Sequence, residues 1–178
     1  MRKNTRSDNK YLEFWSKDDA YGLRMSDLNL SKILEHCENS FPDETGGILI
    51  GSYSKSLDCA AVELVTGPPK DSKRGRTWFK RGVQGLRKLL ENYWKRNRFY
   101  VGEWHFHPNG EPSPSNTDKN QLKAICKSKD YDCSAPVLVI VGGKLPEDWN
   151  IKAFVSPRDG DFQELLICDH KTTVGNFL

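Results

Sequence analysis

The stretch Phe99-Tyr100-Val101-Gly102-Glu103-Trp104-His105-Phe106-His107 alternates like a β-strand and stops at Pro108. Two residues apart on a strand, His105 and His107 leave the same face with Cα atoms roughly 6.5 Å apart, so their imidazoles can converge on one ion. A catalytic zinc commonly takes three protein ligands and keeps its fourth position for water, so one more ligand is required. The loop Pro108-Asn109-Gly110-Glu111-Pro112-Ser113-Pro114 turns the chain sharply and returns the start of the next helix to the strand's end. That start reads Ser115-Asn116-Thr117-Asp118, and Asp118 is the natural third ligand. Taken singly, the histidine pair reads as half-buried strand residues and Ser115 with Asp118 as a helix-capping box. The two readings of the serine are compatible, because a residue at a helix start can cap and still face a site. Glu103 shares the strand face of His105 and is either a solvent-facing residue or a carboxylate of the same site.

Outward from this stretch the chain alternates irregularly between helices and strands. Ser26 or Asp27 caps a helix whose apolar face is Leu30, Ile33, Leu34 and Cys37, and Pro42 stops it. Gly46-Gly47-Ile48-Leu49-Ile50-Gly51 is a buried strand, and Cys59 to Val65 pairs with it as a hairpin that Gly67-Pro68-Pro69 ends. Lys70 to Arg98 carries eleven Lys or Arg against Asp71 and Glu91 only. Its second half places Val83, Leu86, Leu89, Leu90, Tyr93 and Trp94 at helical spacing, an amphipathic helix with a basic outer face. After the proline-rich turn come a helix from about Asn116 to Ser128 and strands near 136–142, 149–155 and 162–168. The pattern predicts an α/β or α+β sheet sandwiched by helices. Residues 1–24 are expected to be an N-terminal extension, partly disordered, and 25–178 the single folded domain.

Composition narrows the functional classes. With 37% apolar and 29% charged residues and a net charge of +3, neither a disordered chain nor a dedicated nucleic-acid binder is indicated. The basic start is not followed by an apolar stretch, and the longest apolar run, Val137 to Val141, is too short to span a bilayer. Five cysteines with no C-x-x-C pair read as reduced, mostly buried thiols, so a cytoplasmic protein without membrane contact is expected. The basic stretch reads as a solvated helix face or as a docking surface for an acidic protein partner. Nucleic acid is disfavoured, because Tyr93 and Trp94 fall on the apolar side.

His105-Phe106-His107, seven residues, then Ser115-Asn116-Thr117-Asp118 resembles the signature H-x-H-x(7)-S-x-x-D of the JAMM (MPN+/JAB-domain) metalloproteases, without gap or insertion. Upstream, Glu44-Thr45-Gly46-Gly47-Ile48-Leu49-Ile50-Gly51 is similar to the segment that supplies that family's catalytic glutamate, and the likeness covers roughly residues 25 to 155. The resemblance implies an MPN/JAB-like, cytidine-deaminase-like architecture. It also implies one zinc with a bound water held by His105, His107 and Asp118, Glu44 as acid/base, and Ser115 as stabiliser of the tetrahedral intermediate. Phe106 stands where eukaryotic relatives usually carry Ser or Thr and is expected to pack on the opposite face. No added His/Cys cluster follows Asp118, so the second structural zinc of some deubiquitinating relatives is not expected. The Gly-Glu-Trp-His-Phe-His-Pro core looks like the deconjugases of bacterial anti-phage (CBASS-type) operons, which reverse an E1/E2-like conjugation of a nucleotidyltransferase. The implied partner is a folded protein with an extended C-terminal tail. Alternatives are trimming of a ubiquitin-like sulfur carrier, or a non-catalytic scaffold, against which the intact ligand set weighs.

Overall fold

The computed structural model describes residues 11–168. Ten strands and three helices follow one another as β1 (Tyr11–Trp15), β2 (Gly22–Ser26), α1 (Asp27–Ser40), β3 (Thr45–Tyr53), β4 (Cys59–Val65), β5 (Lys73–Gly75), β6 (Trp78–Lys80), α2 (Leu86–Trp94), β7 (Phe99–Pro108), α3 (Asn116–Lys127), β8 (Val137–Lys144), β9 (Asp148–Val155) and β10 (Gln163–Ile167). Eight of the strands form one sheet that closes on itself in the order β1-β10-β9-β8-β7-β3-β4-β2, while β5 and β6 make a separate two-stranded hairpin. The β7–β8 and β2–β4 pairs are parallel, and the other pairings of the sheet are antiparallel.

The expected α+β architecture with helices on both faces is present, but the sheet is not a layer between them. Pairing of the two ends, Phe14 with Ile167 and Trp15 with Leu166, closes it into a barrel. The expected boundary at residue 25 is corrected for the same reason. Leu12, Phe14 and Leu23 belong to or pack on the main core, because β1 and β2 supply two of the eight strands. Residues 1–10, the rest of the expected extension, lie outside the described residues.

Local chemistry sets the helices. Ser26 caps α1 by accepting from Asn29 N, and Asn29, itself buried, donates through Nδ2 to Val62 O at 3.0 Å, tying the helix to β4. Ile33 and Cys37 then join the inner core of Phe14, Leu49, Val101, Trp104, Phe106 and Val139. On the outer face, Leu86 and Ile125 from α2 and α3 pack on Ile48, Ile50 and Tyr100, and Leu122 on Leu138 and Ile140. Four of the five cysteines are buried and all five are free thiols. Among the described residues no helix is long and apolar enough to cross a membrane.

The second half of the basic stretch forms the expected helix, with Leu86, Leu89, Leu90 and Tyr93 on its packed face, but the first half is not a loop. That half holds the β5–β6 hairpin, and the helix is the nine-residue α2. Val83 lies before α2 and is 67% exposed, and Trp94 is 51% exposed with its ring edge-on to Phe99, so neither is buried as the spacing predicts. Trp104 is fully buried and donates from Nε1 to Thr66 O at 2.9 Å, joining β7 to the segment after β4. Trp104→Phe is expected to lower the unfolding free energy by about 1–3 kcal/mol, since it removes the donor to a buried carbonyl. A urea-unfolding midpoint equal to that of the unaltered protein would show that this bond contributes nothing.

Candidate active site

Strand parity places the histidines. Register against β3 slips between Leu49 and Ile50, which face Gly102 and Tyr100, so Val101 is the extra residue of a β-bulge. Gly102 is required there, because a Cβ would meet Val137 O at 2.0 Å. Beyond the bulge Trp104 and Phe106 point into the inner core, and Glu103, His105 and His107 point outward together. Phe106 packs as expected.

The proline-rich turn brings α3 back to these histidines. Asn109 N donates to Gly143 O, Gly110 N to His107 O, and His107 Nδ1 lies 3.2 Å from Glu111 O, which orients that ring. At the head of α3, Ser115 and Asp118 form a complete capping box: Asp118 N donates to Ser115 Oγ, and Ser115 N donates to Asp118 Oδ2 at 2.8 Å. The Ser115 hydroxyl also donates to Asp118 Oδ2 at 2.7 Å. The carboxylate is therefore divided, with Oδ2 serving the cap and Oδ1 lying 2.9 Å from His105 Nδ1. Capping and facing His105 thus coexist in Asp118.

Glu44 precedes β3 by one residue, next to the Thr45–Phe106 pair. Gly46, opposite His105, leaves the space that the site needs: a Cβ would come within 2.8 Å of His105 Cδ2 and 2.9 Å of Phe79 Cε1. The hairpin covers this edge. Glu44 N donates to Gly75 O at 2.9 Å, and the Phe79 ring meets His105 edge-on with centroids 5.7 Å apart.

Electrostatics follow from burial and proximity. Burial raises Glu44 to about 7; the charge of His105 opposes this and that of Asp118 adds to it. Burial would lower His105, but the hydrogen bond to Asp118 and the charges of Glu103 and Asp118 prevail and raise it to about 9. Asp118 moves the other way, to about 2, as the bond to His105 outweighs burial. Burial lowers His107. Glu103 is not solvent-facing: it is fully buried and pairs with the Arg81 guanidinium at 2.8 Å.

The donor set fits a divalent metal. Ligand atoms of His105, His107 and Asp118 all lie within 4.8 Å of one another. Tetrahedral zinc with bonds of about 2.0–2.2 Å wants donors roughly 3.5 Å apart. His105 Nδ1 and Asp118 Oδ1 lie 2.9 Å apart, and the raising of His105 by its carboxylate neighbours marks a place where positive charge is favoured. Sequence reading missed Phe79, Arg81 and Gln121, which reach the site through the hairpin and the second turn of α3. The short run Trp78-Phe79-Lys80 after the turn Arg76-Thr77 was the available signal.

Residues 28–154 match the family described as prokaryotic homologs of the JAB domain. The chain is 41% identical over 171 residues to a protein of Enterobacter hormaechei named CD-NTase/cGAS isopeptidase, covering 94% of each. It is 30% identical to a Pseudomonas aeruginosa protein of the same name, over 75% of this chain and 85% of that one. A probable metalloprotease of Sinorhizobium fredii is 28% identical over 63% of this chain and 70% of its own length. A Desulfitobacterium hafniense protein of known solution structure shares the fold, with TM-score 0.57 and 20% identity over 79% of this chain and 87% of that one. The family match runs from α1 into β9 and a 41% identical relative aligns along nearly its whole length, so this chain belongs to the prokaryotic JAB-domain family.

Proposed function

We propose that the protein is a zinc-dependent isopeptidase acting in the cytoplasm. Its reaction is hydrolysis of the amide that follows the C-terminal residue of a conjugated nucleotidyltransferase, undoing an E1/E2-like ligation in anti-phage defence. The observation that carries the reading is the convergence of His105, His107 and Asp118 beside a carboxylate, Glu44, held near neutrality by burial. The extensive similarity to proteins named CD-NTase/cGAS isopeptidase supports the choice of substrate.

His105, His107 and Asp118 would hold one zinc, which when bound supplies a water of lowered pKa and polarises the scissile carbonyl. Glu44 then takes the proton of the attacking water and returns it to the leaving amine, a task suited to a group whose pKa lies near 7. Ser115 is exposed at the mouth of the site. Its hydroxyl proton points at Asp118 Oδ2, so to stabilise the oxyanion it swings from the cap toward the substrate. Beside Glu44, the β5–β6 sheet has two strands only, and β6 keeps an edge without a strand partner among the described residues. An extended tail can add there as a further strand, held mainly by backbone pairing. The exposed cations Lys73, Arg74 and Arg76 on and beside β5 would meet an acidic surface of the folded substrate and act chiefly on its association rate.

The purified protein is expected to hold one zinc per chain and to lose hydrolysis on treatment with a strong chelator. His105→Ala and Asp118→Ala lose both metal and activity; undiminished turnover in a sample shown by elemental analysis to be metal-free refutes the scheme. Glu44→Gln keeps its zinc while turnover falls by about 10²–10⁴-fold, the usual contribution of a general base. Ser115→Ala is expected to slow the reaction by about 10²–10³-fold. If stability alone changes, the serine is a helix cap and nothing more. Substrate choice is read from three fusions: the folded nucleotidyltransferase with its tail, an unrelated tail, and the isolated tail peptide. The folded fusion is cleaved fastest, and Arg74→Glu with Arg76→Glu lowers kcat/KM without changing kcat. Equal cleavage of all three, or cleavage of none by zinc-loaded enzyme, rules out this deconjugase.

A further inference from the structure

Glu103 has no task in the proposed reaction, yet it sits at the centre of a buried polar network. It is 0% exposed, and its oxygens are divided between neighbours from three parts of the chain. Oε1 accepts from Arg81 Nε and faces Nη2, both at 2.8 Å. Oε2 accepts from Gln121 Nε2 at 2.6 Å and lies 3.7 Å from His105 Nε2. Arg81 is engaged on its other side as well, donating to Gly82 O at 3.1 Å and to the Tyr131 hydroxyl at 2.9 Å.

Stability alone does not account for this pair, since replacing a buried ion pair by apolar side chains of similar volume is often neutral or stabilising. What distinguishes Glu103 is its place relative to His105. That ring stands between two carboxylates: Nδ1 faces Asp118 Oδ1 at 2.9 Å, while Nε2 is buried, lacks a hydrogen-bond partner and is turned toward Glu103.

We propose that Glu103 is a positioning residue that holds His105 through the nitrogen facing away from Asp118, so that the other nitrogen is presented to the metal. Through Arg81 and Gln121 the same carboxylate fixes the stem of the hairpin and the second turn of α3, the element that carries Asp118. Buried carboxylates that orient ligating histidines typically contribute 10–100-fold to metal affinity. The inference rests on the reading of His105 as a metal ligand, and the experiment keeps the two apart.

Zinc affinity is measured by competition with a chromogenic chelator, and thermal unfolding is followed in the absence of metal. The proteins compared are the unaltered chain, His105→Ala, Arg81→Met, Glu103→Gln and the double variant Arg81→Met/Glu103→Gln. Glu103→Gln is expected to bind zinc about 10–100-fold more weakly. Arg81→Met, which keeps the Glu103 carboxylate, is expected to lose thermal stability but to weaken zinc binding less than Glu103→Gln does. The double variant, in which neither charge is left alone in the interior, recovers thermal stability and remains as weak a zinc binder as Glu103→Gln. If Glu103→Gln alone does not fold, the double variant carries the comparison. Recovery of full affinity in the double variant overturns the proposal, because Glu103 would then serve only to balance Arg81. Tight binding by the unaltered chain that His105→Ala does not weaken removes the metal-site reading itself, and the positioning role with it.

Discussion

One residue too many in β7 decides what this fold can do. A strand alternates its side chains with a period of two, so a strand that must both fill a core and carry a site has to divide them by parity. Tyr100 packs on the outer cluster and Val101 on the inner one, and without the bulge Glu103, His105 and His107 would share the inward face of Val101. The extra residue reverses that order. Trp104 and Phe106 go inward, and the polar residues come out where α3 and the hairpin meet. The bulge in turn depends on Gly102, since no side chain fits against Val137 O, and the space around His105 depends on Gly46 across the strand pair.

Given that parity, the site is assembled from long-range contacts, each of which also does structural duty. Asp118 offers one oxygen to the helix cap and the other to His105. Glu103 joins β7 to the hairpin stem and to α3. Glu44 is fixed by its backbone bond to Gly75, so the hairpin that overhangs the site is registered to the residue proposed as its base. Sharing residues in this way holds His105 and Asp118 in place, and such rigidity is what the metal site proposed above would require.

Much of this was legible in the sequence because it is local. The alternation ending at Pro108, the helix cap at Ser26, the capping box at Ser115 and the runs of β8, β9 and β10 depend on neighbours a few residues away. Closure of the sheet is not local: it needs Phe14 opposite Ile167, and nothing within β1 states where its partner lies. The hairpin escaped notice because strands of three residues carry no period, and its many cations read as a solvated surface. The same composition hid Arg81. It counts as one more basic residue of the stretch, and only the fold shows it buried against Glu103, which alternation alone would expose.

Charge balance ties the site to its chemistry. Four of its groups carry formal charge irrespective of His105: Glu44, Glu103, Asp118 and Arg81, a sum of −2 when the carboxylates are ionised and the imidazoles neutral. Such an excess in a poorly solvated place is unfavourable, and the protein answers by binding protons. With His105 raised to about 9 and Glu44 to about 7, two protons bring the sum to zero below neutrality. By the sign of these shifts, both protons stabilise the folded state below the ordinary pKa of each group, and that stabilisation is lost as pH rises through about 7 and then 9. A divalent cation bound there would restore the same balance at a pH where Glu44 is free to accept a proton. The site's excess of negative charge is thus the electrostatic counterpart of its geometry: three side chains whose ligating atoms lie within 4.8 Å of one another, and a surrounding charge that one divalent ion would neutralise.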